Sequence, residues 1–144
     1  MSRKKQKLKE RNNKLYKQWN NSDFMNEFQK RIKDFCDKRD WCQFHNPKDL
    51  LLGIVEEIGE VRNVVKWEQD REKLRQALIS NKDKVEDDIG DIYWFLALLA
   101  NSCDVNIDEA IDKVINKNEK RFPETELKSR HTNIHLGGKD KNYN

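Results

Sequence analysis

An all-α bundle of four to five helices is the fold class this sequence predicts, and three observations carry it. Of the 144 residues only 5 are glycine and 2 proline, too few for the turns of a β fold. Charged side chains make up 38% of the chain and apolar ones 35%, so the core must be narrow under a highly charged surface. The apolar residues recur three and four apart, the spacing that gathers them on one face of a helix. A thin core in a chain of this size also predicts an oligomer, a homodimer or homotetramer, because association buries further apolar surface.

The first 21 residues hold eight Lys/Arg and one acid, while the rest of the chain is mildly acidic. They form a basic N-terminal arm, read as a solvated extension, a docking segment or a nucleic-acid contact. The helical domain is expected over 22–123. Ser22 is the expected N-cap of a first helix, with Phe24, Phe28, Ile32 and Phe35 along one face and an end near Arg39 or Asp40. The aromatic connector Trp41-Cys42-Gln43-Phe44-His45 leads to Asn46-Pro47, a cap followed by proline at the first helical position. The second helix runs to about Trp67, with Leu51, Ile54, Val55, Ile58, Val61 and Val65 as its apolar stripe. A short charged helical segment follows over 68–79, and Ser80-Asn81 marks a turn. The third long helix covers Lys82 to Ser102. Its run from Ile92 to Ala100 is apolar almost all round, which predicts burial, at a subunit interface among other places. Asn106 with Glu109 resembles a capping box that opens a fourth helix, ending near Phe122-Pro123. Residues 124–144 read as a polar flexible tail.

No apolar run approaches the length of a membrane span, and the basic N-terminus lacks the apolar segment of a secretory signal. Cys36, Cys42 and Cys103 are odd in number and lack metal-ligand spacing, so they read as reduced thiols in a cytoplasmic protein.

Two near-copies stand out: Glu56-Glu57-Ile58-Gly59-Glu60-Val61 and Asp87-Asp88-Ile89-Gly90-Asp91-Ile92. In each, carboxylates fall at i, i+1 and i+4. Glu57 and Glu60 therefore share a helix face, as do Asp88 and Asp91. Adjacent like charges are unfavourable unless a positive charge sits there. A mid-helix glycine costs up to about 1 kcal/mol relative to alanine, and its repetition suggests close approach by another backbone or a ligand. A solvated acidic face is the plainer reading of either block alone. Together, against apolar stripes, they suggest two helices facing their acids across a divalent cation. Four carboxylates make an all-oxygen site that suits Mg²⁺, with Mn²⁺ as the alternative. No histidine follows at the Glu-x-x-His spacing of helical di-iron sites. Mg²⁺ held this way keeps several waters and is completed by phosphate oxygens, so the expected substrate carries phosphate.

Glu56-Glu57-x-x-Glu60, a 27-residue spacer and Asp88-x-x-Asp91 resemble the EExxE…ExxD signature of the MazG-like all-alpha nucleoside triphosphate pyrophosphohydrolases. The wider context is similar to the dCTP pyrophosphatase branch: Arg39-Asp40-Trp41-x-x-Phe44-His45-x-Pro47, Leu50-Leu51-Leu52, Trp67, and Asn118-x-x-Arg121-Phe122-Pro123. The resemblance covers about residues 23–123. It implies the all-alpha NTP pyrophosphatase bundle and hydrolysis of a nucleoside triphosphate, preferentially dCTP, to a nucleoside monophosphate and pyrophosphate for cleansing of the nucleotide pool. It implies that Glu57, Glu60, Asp88 and Asp91 ligate the metal, with Glu56 in support, and that the metal activates a water for attack at phosphorus.

Trp41 and Trp67 are the candidates for packing the base, and ordinary core packing is their other reading. His45 is a further pocket candidate or simply a residue at the start of a helix. Lys117, Asn118 and Arg121 could hold phosphate or sugar, or act as favourable cations at a helix C-terminus. Two departures from the pattern stand in this chain. Asp88 takes a position usually held by glutamate, and Phe95 one often held by tyrosine, which would remove a hydroxyl contact to the sugar. The rival expectation is a non-catalytic helical scaffold, or a nucleic-acid-binding protein acting through residues 1–21.

Overall fold

The computed structural model describes residues 23–133. The basic arm at 1–21, the expected cap Ser22 and the last part of the tail, 134–144, lie outside the described residues. The chain divides into two compact units, one ending at Ile107 and the other beginning at Asp108.

The first unit contains α1 (Glu27–Asp37), a 3-10 turn (Trp41–Phe44), α2 (Pro47–Val65), α3 (Arg71–Ser80) and α4 (Lys82–Ser102). Its helix starts follow from side chains that satisfy the unpaired N–H groups of a first turn. Asn26 caps α1 by accepting from the Gln29 N–H at 2.8 Å, and the Gln29 side chain accepts from the Asn26 N–H in return. The cap of α1 is therefore Asn26, four residues beyond the expected Ser22. Asn46 caps α2 through the Asp49 N–H at 3.0 Å, with Pro47 at the first position as the sequence predicts. Asp70 caps α3 through the N–H groups of Glu72 and Lys73, so the segment expected from residue 68 starts as a loop. Asp40, at φ 54°, adopts the left-handed conformation that separates α1 from the 3-10 turn.

The core is small: Ile32 and Cys36 from α1, Leu50 from α2, and Ala97, Leu98 and Ala100 from α4, closed by Ile107. The face of α1 that turns inward differs from the expected aromatic stripe. It consists of Gln29, Ile32, Lys33 and Cys36, with Met25 buried just ahead of the helix, while Phe28 and Phe35 lie at the surface. The reason is Gln29, which is fully buried because its side chain finds four partners. Its amide nitrogen donates to Asn101 Oδ1 and the Val105 carbonyl, both at 2.8 Å. Its amide oxygen accepts from the N–H groups of Ile107 at 3.0 Å and Asn26 at 3.3 Å. A satisfied polar group is tolerated in a core, and this one draws its neighbours in with it. Around it, Phe28 meets Tyr93 edge-on at 6.0 Å.

The apolar stripe of α2 is likewise only half covered. Leu50 and Gly53 are buried, but Leu51, Val55 (64% exposed) and Ile58 face outward. On α4, Ala97 and Leu98 are buried while Ile89 (56% exposed) and Leu96 remain open.

The paired glycines also behave differently from expectation. A Cβ added at Gly59 or Gly90 would meet nothing within 4 Å. The close approach is at Gly53, where a Cβ would lie 2.8 Å from Cε1 of the Phe95 ring. Gly53→Ala is therefore expected to destabilise the chain, because overpacking of about 1–3 kcal/mol outweighs a helix-propensity gain of up to about 1 kcal/mol. Gly59→Ala and Gly90→Ala should instead raise the unfolding free energy read from urea titration, by up to about 1 kcal/mol each. Equal shifts at all three positions would contradict this assignment.

The second unit carries α5 (Ile107–Arg121, its first residue at the boundary) and the short α6 (Glu124–Leu127). Helix α5 ends at Arg121, one residue before the expected stop, with Lys120 and Arg121 at its favourable C-terminal end. The stretch expected to be a flexible tail thus begins as a turn of helix over 124–127. Among the described residues there is no β-strand, and no helix is long and apolar enough to cross a membrane.

Candidate functional site: an acidic seam between two antiparallel helices

Two contacts fix the register of α2 against α4. Gly53 meets Phe95, and seven residues further along α2, Glu60 meets Lys84. Advancing along one helix means retreating along the other, so the pair is antiparallel. Carried along the helices, the Gly53–Phe95 pairing sets Glu60 level with Asp88 and Glu57 level with Asp91, and Lys84, one turn before Asp88, reaches across to Glu60 while also bonding Asp88. The two acidic blocks, which the sequence separates, thus come to face each other.

Their surroundings are unequal. Asp88 is buried, at 6% exposure, whereas Glu57 is half-buried and Glu56, Glu60 and Asp91 are exposed. Partial burial raises the Glu57 carboxyl above the usual glutamate range, and the charges of Asp91, Asp88 and Glu60 push in the same direction, partly offset by Lys84. Glu57 thus feels the carboxylates of the facing block as well as that of Glu60 on its own helix.

A residue that sequence reasoning passed over lies at the centre. Lys84 Nζ donates to Glu60 Oε2 at 3.0 Å and to Asp88 Oδ1 at 3.2 Å, bridging the two helices. Hydrogen bonds to Glu60 and Asp88 raise its pKa. The available signal was its position four residues before Asp88, one turn up the same face. The other oxygen of Asp88, Oδ2, is buried and has no hydrogen-bond partner. Among the described residues no three acidic, histidine or cysteine side chains are drawn together into a ready-made metal cage. The donor set nevertheless fits a hard divalent cation. It is all oxygen, it already attracts an ammonium, and it holds one buried carboxylate oxygen with nothing to bind.

The remaining candidates are distributed around this seam and beyond it. Phe95 packs its ring on Gly53 between α2 and α4, seven residues from Asp88 along the helix. Trp41 stands edge-on to Phe35 at 5.7 Å, with the Arg39 guanidinium 3.5 Å from the Phe35 ring centre. Trp67 is 87% exposed beside Lys66, whose Nζ lies 5.6 Å from the ring centre. Neither Trp67 nor Trp41, which is 44% exposed, is therefore a core residue. Neither makes a ring contact with the acids.

His45 is half-buried, with Nδ1 enclosed and unpaired, and this burial lowers its pKa below the ordinary 6.5. The unfolded chain then takes up a proton more readily than the folded one. The His45 contribution is complete above about pH 6.5 and is lost as pH falls below that value. Urea midpoints at pH 7.5 and 5.5 should therefore differ less for His45→Gln than for the parent chain. In the second unit, Lys117 and Arg121 line a surface groove of about 600 Å³ with Lys113, Asn116 and Lys120. Asn118 is not among its walls; its carbonyl accepts from the Phe122 N–H at 2.7 Å. Cys36, Cys42 and Cys103 are all free thiols. Burial and a hydrogen bond to Asp37 push the Cys42 thiol up to about 12, so it is inert at neutral pH.

An all-α scaffold whose two longest helices confront carboxylates across a cation-seeking seam defines the class of protein this is. Residues 45–125 match the MazG nucleotide pyrophosphohydrolase domain, and the chain belongs to that family. It is 33% identical over 91 residues to dCTP pyrophosphatase 1 of Mus musculus, covering 62% of this chain and 54% of the mouse protein. It is 32% identical to dCTP pyrophosphatase 1 of Homo sapiens over a stretch of the same length and coverage. The chain thus spans about half the length of these curated relatives. A solved structure, a pyrophosphatase from Archaeoglobus fulgidus, superposes with a TM-score of 0.63 at 29% identity, covering 67% of this chain and 90% of that one.

Proposed function

We propose that this chain hydrolyses nucleoside triphosphates to the monophosphate and pyrophosphate, with a divalent metal ion, Mg²⁺ in the first instance, and with dCTP as the preferred substrate. The observation that carries the reading is the seam itself: Glu57 and Glu60 on α2 level with Asp91 and Asp88 on α4, with the buried Asp88 Oδ2 unpaired. Glu57, Glu60, Asp88 and Asp91 would hold the ion, and Glu56 would support them. A bound ion supplies charge neutralisation at the phosphate oxygens. The carboxylates would fix the ion and, through it, the triphosphate, and one of the acids would accept a proton from water. The dCTP preference draws on the mammalian relatives named above. The exposed Trp67 and the partly exposed Trp41 offer indole faces for a base, with His45 and Phe95 as further contacts. Lys117, Asn118 and Arg121 supply cations and an amide suited to phosphate or sugar.

The apolar residues left open on α2 and α4, among them Leu51, Val55, Ile58 and Ile89, support assembly as a homodimer or homotetramer. The free thiols fit a cytoplasmic location. The test is a panel of NTPs and dNTPs incubated with Mg²⁺ and, in parallel, with a chelator, with pyrophosphate as the readout. Release is expected to be greatest from dCTP and absent with chelator. Folded protein that releases pyrophosphate from none of the panel would refute the enzymatic reading.

A further inference from the structure

Lys84 is the ion-pairing side chain that joins α2 to α4 among the described residues. Its ammonium lies between one carboxylate from each acidic block, and its side chain is 47% exposed, so the head can swing out to water without unfolding anything. Asp88 lacks that freedom. Its side chain is only 9% exposed, one oxygen is committed to Lys84 and the other has no partner. With Lys84 removed, the facing carboxylates would repel across the seam with no internal compensation.

We propose that Lys84 is a tethered counterion of the acidic seam. It holds α2 and α4 together while no metal is bound, and it must vacate Glu60 and Asp88 for a divalent cation to enter, so it sets the concentration at which the site fills. This rests on the divalent-ion reading of the seam. The device is a competition between two positive charges for the same oxygens, one covalently attached and monovalent, the other free and divalent. Its consequence is a site that stays intact when metal is scarce and binds metal more weakly than its carboxylate count alone would give.

The test uses Lys84→Met, which keeps the length of the stem and removes the charge. Two measurements suffice, neither of them catalytic: thermal unfolding without metal, and Mn²⁺ binding by loss of the free-ion electron paramagnetic resonance signal. The variant should unfold at a lower temperature without metal, yet bind Mn²⁺ roughly five- to tenfold more tightly, a coupling of ordinary size between two competing ligands. Lys84→Arg, which keeps the charge, should behave as the parent in both. A Met variant that folds only when Mn²⁺ is added supports the proposal as well. Unchanged or weaker Mn²⁺ binding in the Met variant overturns it while leaving the metal site standing, as does a Met variant that stays unfolded in Mn²⁺. Absence of Mn²⁺ binding in the parent chain overturns the divalent-ion reading and this proposal with it.

Discussion

Asp88→Asn is expected to lower pyrophosphate release by on the order of 100-fold or more while leaving the thermal unfolding temperature unchanged or higher. The activity loss follows from the chemistry of the seam. Disturbing even an outer partner of a metal ligand typically costs about 10–100-fold, and Asp88 is the best-buried ligand candidate here. The stability side follows from the orphaned oxygen. A buried carboxylate oxygen without a partner is costly in the folded chain, and the amide of asparagine is neutral. Function and stability should therefore move in different directions, because the oxygen that a metal would use is the one left without a partner in the folded chain. Steady-state release of pyrophosphate and a thermal melt on the same preparation check both. A variant that loses activity only because it has lost its fold would contradict the assignment.

The second large effect is structural. Gln29→Leu is expected to destabilise the chain by about 2–4 kcal/mol, since each buried polar group left without a partner costs about 1–3 kcal/mol. The substitution orphans the Ile107 N–H, the Val105 carbonyl and Asn101 Oδ1 together. Those groups lie at the α4–α5 turn, so α1 and that turn are tied through one side chain. Urea denaturation followed by far-ultraviolet circular dichroism provides the measurement. A loss below about 1 kcal/mol would mean that water replaces Gln29 without difficulty.

Helix positions were legible because their punctuation is local. Asn46-Pro47 caps where the sequence places a start, and the long apolar run over 92–100 falls within α4 as expected. The acidic blocks were legible because their spacing repeats. Three things were not. Gln29 is polar, so hydrophobic periodicity placed the buried face of α1 one step away from where it lies. Gly53 resembles any helix glycine until Phe95 is known to lie across it, whereas the conspicuous Gly59 and Gly90 turn out to have open space beside them. Lys84 is one lysine in a lysine-rich chain, and only the antiparallel register brings Glu60 to it. Each of these depends on a contact between helices, which no single-helix pattern encodes.

That register has a consequence for the segment between the two helices. The Phe95 ring against the Gly53 backbone and the Lys84 bonds to Glu60 and Asp88 hold the alignment, and neither contact involves the residues that join Val65 to Lys82. Lengthening that connector would cost little, about 0.6 kcal/mol for each doubling of a flexible loop. The α3 region is thus a place where sequence can be inserted while the facing acids keep their opposition.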